Sequence, residues 1–310
     1  MVKNLLYSSS LFLAIFFLVV AIQGSDANKN ADKELVFHFA YSNLVFQDID
    51  ARDANAALLV YVRQIEKNFY ERRGFKVVLR AKIYYSIDEI KAGLLKNEFD
   101  LISVPSDQFF ELKKFVDLEP CLKVVSSEET FSQYAFIASQ IGGISSFVDV
   151  KNKSFAMPTN YKNWLVEKWI EVLLHRNKLR NIGNTFKSVN LFSTESKVVY
   201  DIFFSKIDCG VVRMSTLNTL FELNPQLKKS IKILSASPQF IPSILSYRKD
   251  NKANLLDLVI EEAKELHKTE NGKSILKIFK AIRVDKSNIS ELQSVKLLLD
   301  EYNSIIKLKK

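Results

Sequence analysis

Side chains able to do chemistry are few in this 310-residue chain, and they lie far apart. The three histidines, His38, His175 and His267, share no helical turn or strand. Zinc sites built on closely spaced histidines are therefore excluded. Cys121 and Cys209 form no C-x-x-C pair. The chain holds only 8 glycines, and they make no G-x-G-x-x-G, no G-x-x-x-x-G-K-[ST] and no G-x-S-x-G. No nucleophile beside a base stands out, and no carboxylate pair. What remains is a set of short hydroxyl and amide clusters, one with a guanidinium. Tyr41, Ser42 and Asn43 follow one apolar run, and Ser103 and Ser106 close a second. Thr159 and Asn160 follow a third, while Asp208, Arg213 and Ser215 flank a fourth. Such groups donate hydrogen bonds. At a helix start, where backbone N–H groups are free and the dipole is positive, they suit an oxyanion. The expected chemistry is binding, with no catalytic residue, no metal and no cofactor. Each group also has an ordinary structural use. Ser106 and Thr159 can cap helices, Tyr41 can cover a sheet edge, and Arg213 can pair locally.

These side chains matter only if strands and helices deliver them to one place. Buried strands are expected at 35–40, 75–84, 99–104, 154–157, 186–192, 209–212, 231–234 and 244–247, with a β-prone stretch at 131–139. Helices alternate with them. Asp50 can cap a helix whose apolar stripe runs from Ala54 through Leu58, Val62 and Ile65 to Phe69. Ser86 and Glu89 have capping-box spacing for a helix to about Lys96. Ser106 can begin a short helix through Phe115, and a longer one is expected over 161–176. Ser193 and Ser215 open two more helices. The C-terminal part reads as three helices, at 251–267, 272–282 and 289–306, with no further strand. The alternation predicts an α/β protein of two lobes, each a mainly parallel sheet flanked by helices. Two crossovers would join the lobes. Gly142 and Gly143, the one Gly-Gly pair, mark the first, and Pro238 and Pro242 bracket the second. In open sheets of this kind, ligands sit beyond the carboxyl ends of the strands.

Composition agrees with this class. Hydrophobic residues are 47% and charged residues 25%, an ordinary globular balance. The length allows about two domains. A net charge of +9 favours an anionic partner, but it is spread along the chain, so nucleic acid is not expected. The N-terminus carries Lys3, an unbroken apolar run over 11–22 (LFLAIFFLVVAI), and then Ser25 and Ala27. This is the pattern of a secretory signal cut before Asn28; an uncleaved anchor is the alternative. No cysteine follows the apolar run, so a lipoprotein anchor is not expected. Cys121 and Cys209 would be two small buried side chains unless they meet in space.

Several segments together resemble one family, the substrate-binding proteins of phosphate, phosphite and phosphonate ABC transporters. They are 86–105 (SIDEIKAGLLKNEFDLISVP), 147–158 (FVDVKNKSFAMP), 197–212 (KVVYDIFFSKIDCGVV), 233–249, with its Ser237-Pro238 and Ile241-Pro242, and 269–284 (TENGKSILKIFKAIRV). The resemblance implies a type 2 periplasmic binding fold. Residues 1–27 would be the signal, 28–140 the first part of lobe 1, 141–240 lobe 2, and 241–310 the return to lobe 1 with the C-terminal helices. It implies an exported monomer that takes a small anionic solute between its lobes and hands it to an ABC transporter permease, in the periplasm or outside the cytoplasmic membrane. An extracytoplasmic sensor or interaction module on the same fold is the alternative. In the family an acidic residue at the position of Asp208 can meet a ligand amine. One segment departs. A Ser-Thr-Ser-Gly-like run usually opens the helix of the second lobe, but here the run is Pro158, Thr159, Asn160, Tyr161, Lys162 and Asn163. Only Thr159 keeps a hydroxyl of that type.

Overall fold

A computed structural model describes residues 35–46, 49–126, 131–161, 164–251 and 256–308. The expected signal at 1–27 lies outside the described residues. The strands are β1 (Leu35–Ser42), β2 (Val77–Tyr84), β3 (Leu101–Pro105), β4 (Leu118–Ser126), β5 (Tyr134–Ser139), β6 (Ser154–Pro158), β7 (Ser188–Phe192), β8 (Cys209–Arg213), β9 (Ile231–Ala236), β10 (Ser243–Arg248) and β11 (Ala281–Lys286). They form two sheets. One has six strands in the order β11-β4-β10-β3-β1-β2, and the other five in the order β7-β6-β8-β5-β9. Helices pack against both, so the α/β, two-sheet class is the observed one.

Local signals place most of these elements. The Asp50 carboxylate accepts the Arg52 N–H at 2.9 Å and starts the helix Ala51–Arg73. That helix stops where Gly74 turns left-handed, at φ 78°. Ala54, Leu58, Val62, Ile65 and Phe69 are buried against the first sheet, as their period requires. Ser86 caps the helix Ile87–Leu95 by accepting the Asp88 N–H at 3.1 Å. In the second lobe, β5 is buried along its whole length, which fits a strand covered on both faces. Cys121 and Cys209 are free and buried, one in each sheet. Among the described residues, no helix is long and apolar enough to cross a membrane.

Four features differ from the expectation. First, the sheets are mixed rather than mainly parallel. Of the nine strand pairings among the described residues, four are parallel and five antiparallel. Strands that enter a sheet from a crossover, β5 and β10, run against their neighbours. Second, β5 belongs to the second sheet, so the chain changes sheets between Ser126 and Tyr134, before the Gly142–Gly143 turn. Third, β11 occupies part of the stretch expected to be helical over 272–282. The helix Glu270–Ile278 ends at Phe279, and Lys280 takes a left-handed φ of 53°. A lysine there hides the stop that glycine usually announces. Fourth, β4 was not foreseen. Its Glu119, Pro120 and Lys123 interrupt the apolar pattern of a strand.

The two crossovers pair with each other. Ser132 and Phe240 form an antiparallel bridge, with N–H···O distances of 2.8 and 2.9 Å in the two directions. Ser237 extends it: its Oγ accepts the Tyr134 N–H at 2.9 Å. Across the other side, Lys168 of the helix Leu165–Arg176 pairs with Asp107 of the helix Ser106–Leu112 at 2.6 Å. The C-terminal helix Gln293–Leu308 packs on both of those helices and holds Glu301 against Arg176 through two hydrogen bonds.

Candidate functional site

The first sheet supplies a floor. Tyr41 of β1 lies opposite Ser103 of β3, Ser103 opposite Leu245 of β10, and Leu245 opposite Leu122 of β4. Residues directly opposite share a face, so these four form one row across the sheet. All four line a cavity of about 240 Å³. The Ala51–Arg73 helix adds Leu58 and Tyr61, the Glu270–Ile278 helix adds Leu276, and Phe46 and Phe279 line it as well. The cavity continues toward the second lobe as a further space of about 190 Å³, lined there by Tyr134, Asn160, Tyr161 and Trp164. Arg213, Ser132, Ser243 and Phe279 border both parts, making one cleft between the sheets.

The second sheet places the guanidinium. Arg213 ends β8 and lies opposite Tyr134, the first residue of β5. Its Nε donates to Glu195 Oε1 at 2.7 Å. The Tyr161 hydroxyl donates to the same oxygen through a short hydrogen bond. Glu195 begins the helix Glu195–Phe203, which Thr194 caps through the Lys197 N–H, one residue beyond the expected Ser193. Burial alone would weaken the charge on Arg213. The Glu195 carboxylate outweighs it and holds the guanidinium above its ordinary pKa. Burial, followed by the Glu195 charge, raises the Tyr161 phenol well above its usual value, so it stays a donor.

A second cation comes from the unforeseen β4. Lys123 is buried, lines the cleft, and pairs closely with Glu291 while lying 5.1 Å from the centre of the Phe131 ring. Burial pushes the Glu291 carboxyl up, but hydrogen bonds from Lys123 and Ser287 bring it below its ordinary value. Ser103, Ser126, Ser132 and Ser243 add hydroxyls along the same wall. Cations and hydroxyls on opposite walls can hold an anion between the lobes; no group here is arranged to break a bond.

The expected site residues divide. Tyr41, Ser103, Asn160 and Arg213 line the cleft. Asn43 borders an adjoining groove with Asn160. The Ser42 hydroxyl instead accepts the Leu44 N–H at 3.3 Å within the turn after β1. Ser106 is fully buried, and its hydroxyl donates to the Ile241 carbonyl at 2.6 Å. It ties the return crossover down and does not cap its helix, whose N-cap is Pro105. Thr159 donates to the Phe192 carbonyl at 3.1 Å, joining β6 to β7 outside the cleft lining. Asp208 lies at the opposite end of β8, about 16 Å from Arg213 at 3.3 Å per residue. Its carboxylate accepts the Ser154 N–H at 2.8 Å and the Ser154 hydroxyl at 2.6 Å.

Asp208 therefore acts on stability. Burial raises its pKa, but the Ser154 hydrogen bonds and nearby lysines lower it below the ordinary 3.8. A depressed carboxylate stabilises the fold above its unfolded pKa, and this contribution fades as pH falls through the folded value. Asp208→Asn should cost about 1 kcal/mol at neutral pH. The gap to the unmodified protein should close below about pH 4, as urea titrations at several pH values would show. A constant gap at every pH would remove the charge from the account.

A family model described as ABC transporter, phosphonate, periplasmic substrate-binding protein matches residues 63–292. The chain belongs to this family. Its members are transport components rather than enzymes, and they deliver small anionic solutes to ABC permeases. Solved structures agree on the fold. The binding protein component of an ABC phosphonate transporter from Pseudomonas aeruginosa is 14% identical, with a TM-score of 0.53, covering 87% of each chain. PhnD1 from Prochlorococcus marinus, in complex with methylphosphonate, is 12% identical with a TM-score of 0.56, covering 86% of this chain and 98% of its own. XAC2383 from Xanthomonas citri, bound to ATP, is 11% identical with a TM-score of 0.59, covering 88% and 98%. No curated protein sequence matches the chain. In this cleft both cations, Arg213 and Lys123, are paired with carboxylates of the chain itself.

Proposed function

We propose that the protein is an exported solute-binding protein that captures a small oxyanion of the phosphonate, phosphite or phosphate type and delivers it to an ABC permease. The observation that carries this reading is the cleft between two sheets, where Arg213 from one lobe faces Ser103 and Tyr41 from the other. The apolar run at 11–22 with Ser25 and Ala27 supports export to the periplasm or its equivalent. The site on this reading comprises Tyr41, Ser103, Asn160 and Arg213, joined by Lys123, Ser126, Ser132 and Ser243. The last four escaped the sequence, since serine is common and Lys123 lies in a strand with a weak signal. Closure of the lobes about the paired crossovers, at Ser132 and Phe240, would complete the cage.

Thermal denaturation of the chain without residues 1–27 tests this. Phosphate, phosphite, methylphosphonate and 2-aminoethylphosphonate are the probes. A bound anion at 100 times its dissociation constant adds about 2.7 kcal/mol. A rise in melting temperature with at least one is expected, and no rise with any of the four would refute the oxyanion reading.

A further inference from the structure

We propose that the solute carries a planar apolar ring beside its anionic head, and that the ring sits among Tyr41, Phe46, Tyr61 and Phe279. This deepens the proposed function and rests on the cleft being the solute site. The four rings form a connected wall. Tyr41 and Phe46 have centroids 5.8 Å apart, Phe46 and Phe279 5.8 Å, and Tyr61 and Phe279 5.9 Å with planes at 84°. Interplanar angles of 35° and 44° leave the first two pairs tilted, so the rings do not stack flat on one another. Leu58 and Leu276 complete the compartment. Nothing about a methyl or amino substituent calls for so much aromatic surface. A cavity of about 150 Å³ lined by apolar side chains is enough to admit benzene, and this one, its polar strip included, measures about 240 Å³.

Charge points the same way. An inorganic oxyanion must draw its affinity from donors and uncompensated positive charge. Here Arg213 already holds Glu195 at 2.7 Å, and Lys123 already holds Glu291. The polar strip is thus close to neutral: it holds an anion by hydrogen bonds, Arg213 above all, and leaves the rest of the affinity to other parts of the ligand. Ligand sites with mostly apolar walls and a few fixed polar groups take their affinity from the apolar part of the ligand. Desolvation raises the Tyr41 and Tyr61 phenols above their ordinary pKa, so they stay protonated and add donors without adding charge.

Isothermal titration separates the possibilities with four probes: inorganic phosphate, methylphosphonate, phenylphosphonate and benzyl alcohol. Phenylphosphonate is expected to bind at least about tenfold more tightly than methylphosphonate, the scale of one buried aromatic contact. Phe279→Ala should shrink that preference to within about threefold while methylphosphonate binding persists. Phe46→Leu keeps the volume more nearly and gives a second reading should the first variant fold poorly. Equal or weaker binding of phenylphosphonate overturns the ring compartment and leaves the oxyanion reading standing. Binding of benzyl alcohol as tight as that of phenylphosphonate overturns the anionic head, and with it this proposal. Binding of none of the four overturns both readings.

Discussion

Replacing Arg213 with methionine is expected to abolish anion binding and to destabilise the protein by about 3 kcal/mol. The two losses have different origins. Arg213 shields Glu195, whose side chain is only 9% exposed and whose Oε2 is buried without a hydrogen-bond partner. Removing the guanidinium strands a buried carboxylate, which costs about 3–5 kcal/mol for a fully buried pair. Arg213 is itself 35% exposed, so water softens the penalty toward the lower end. A second change isolates the binding effect. In the double variant Arg213→Met with Glu195→Gln, no charge is stranded, and most of the stability should return. Anion binding should not return. Glu195→Gln alone should tighten methylphosphonate binding, because Arg213 is then no longer neutralised. The measurements are urea unfolding and calorimetric titration on the three variants. A double variant that binds methylphosphonate as the unmodified chain does would remove Arg213 from the site.

The contrast between Arg213 and Asp208 shows how far the sequence reaches. Both residues flank the same short apolar run, and both looked able to meet a ligand. Only their position along β8 separates them: β6, β7 and β8 run parallel, and Arg213, at their carboxyl end, lines the cleft, while Asp208 is at the other end. The Asp50-capped helix was legible from its period, and β5 as a β-prone stretch within 131–139 from its continuous apolar run. Elements whose stops lacked the usual residues were not. Lys280 turns left-handed where glycine is the usual signal, so the helical reading of 272–282 runs over the stop and takes in the first two residues of β11. The hydroxyls failed for a different reason. A serine that caps, a serine that ties down a crossover and a serine that faces a cleft have the same letter. Ser106 and Ser103 differ by three positions, yet one is buried on Ile241 and the other lines the cleft. Distinguishing them requires the register of β3 against β10, which depends on residues about 140 positions away.

Phe136→Ala should cost about 4 kcal/mol, the range for removing a buried phenylalanine, and should unfold the second lobe ahead of the first. Phenylalanine is abundant at 23 residues, and four of them meet in the core of this lobe. Phe136 lies 4.8 Å from Phe147 and 5.6 Å from Phe155, and Phe155 stacks on Phe186 at 4.5 Å with planes 16° apart. Phe136 is wholly buried, and β5 has β8 and β9 on either side, so little backbone can move in to fill the space. The first lobe has its own clusters around Phe39, Ile65 and Ile102, none of which includes Phe136. Two cores of this kind do not have to melt together. Hydrogen exchange should therefore show β5, β6 and β8 losing protection while β1 and β3 keep theirs. Arg213 and Tyr134 sit two positions along the same strand pair from Phe136, so binding should fail at the temperature where that protection is lost, about 10 °C or more below the unmodified protein. Loss of protection in both sheets at one temperature would mean that the bridge at Ser132 and Phe240 and the C-terminal helix couple the lobes into a single cooperative unit.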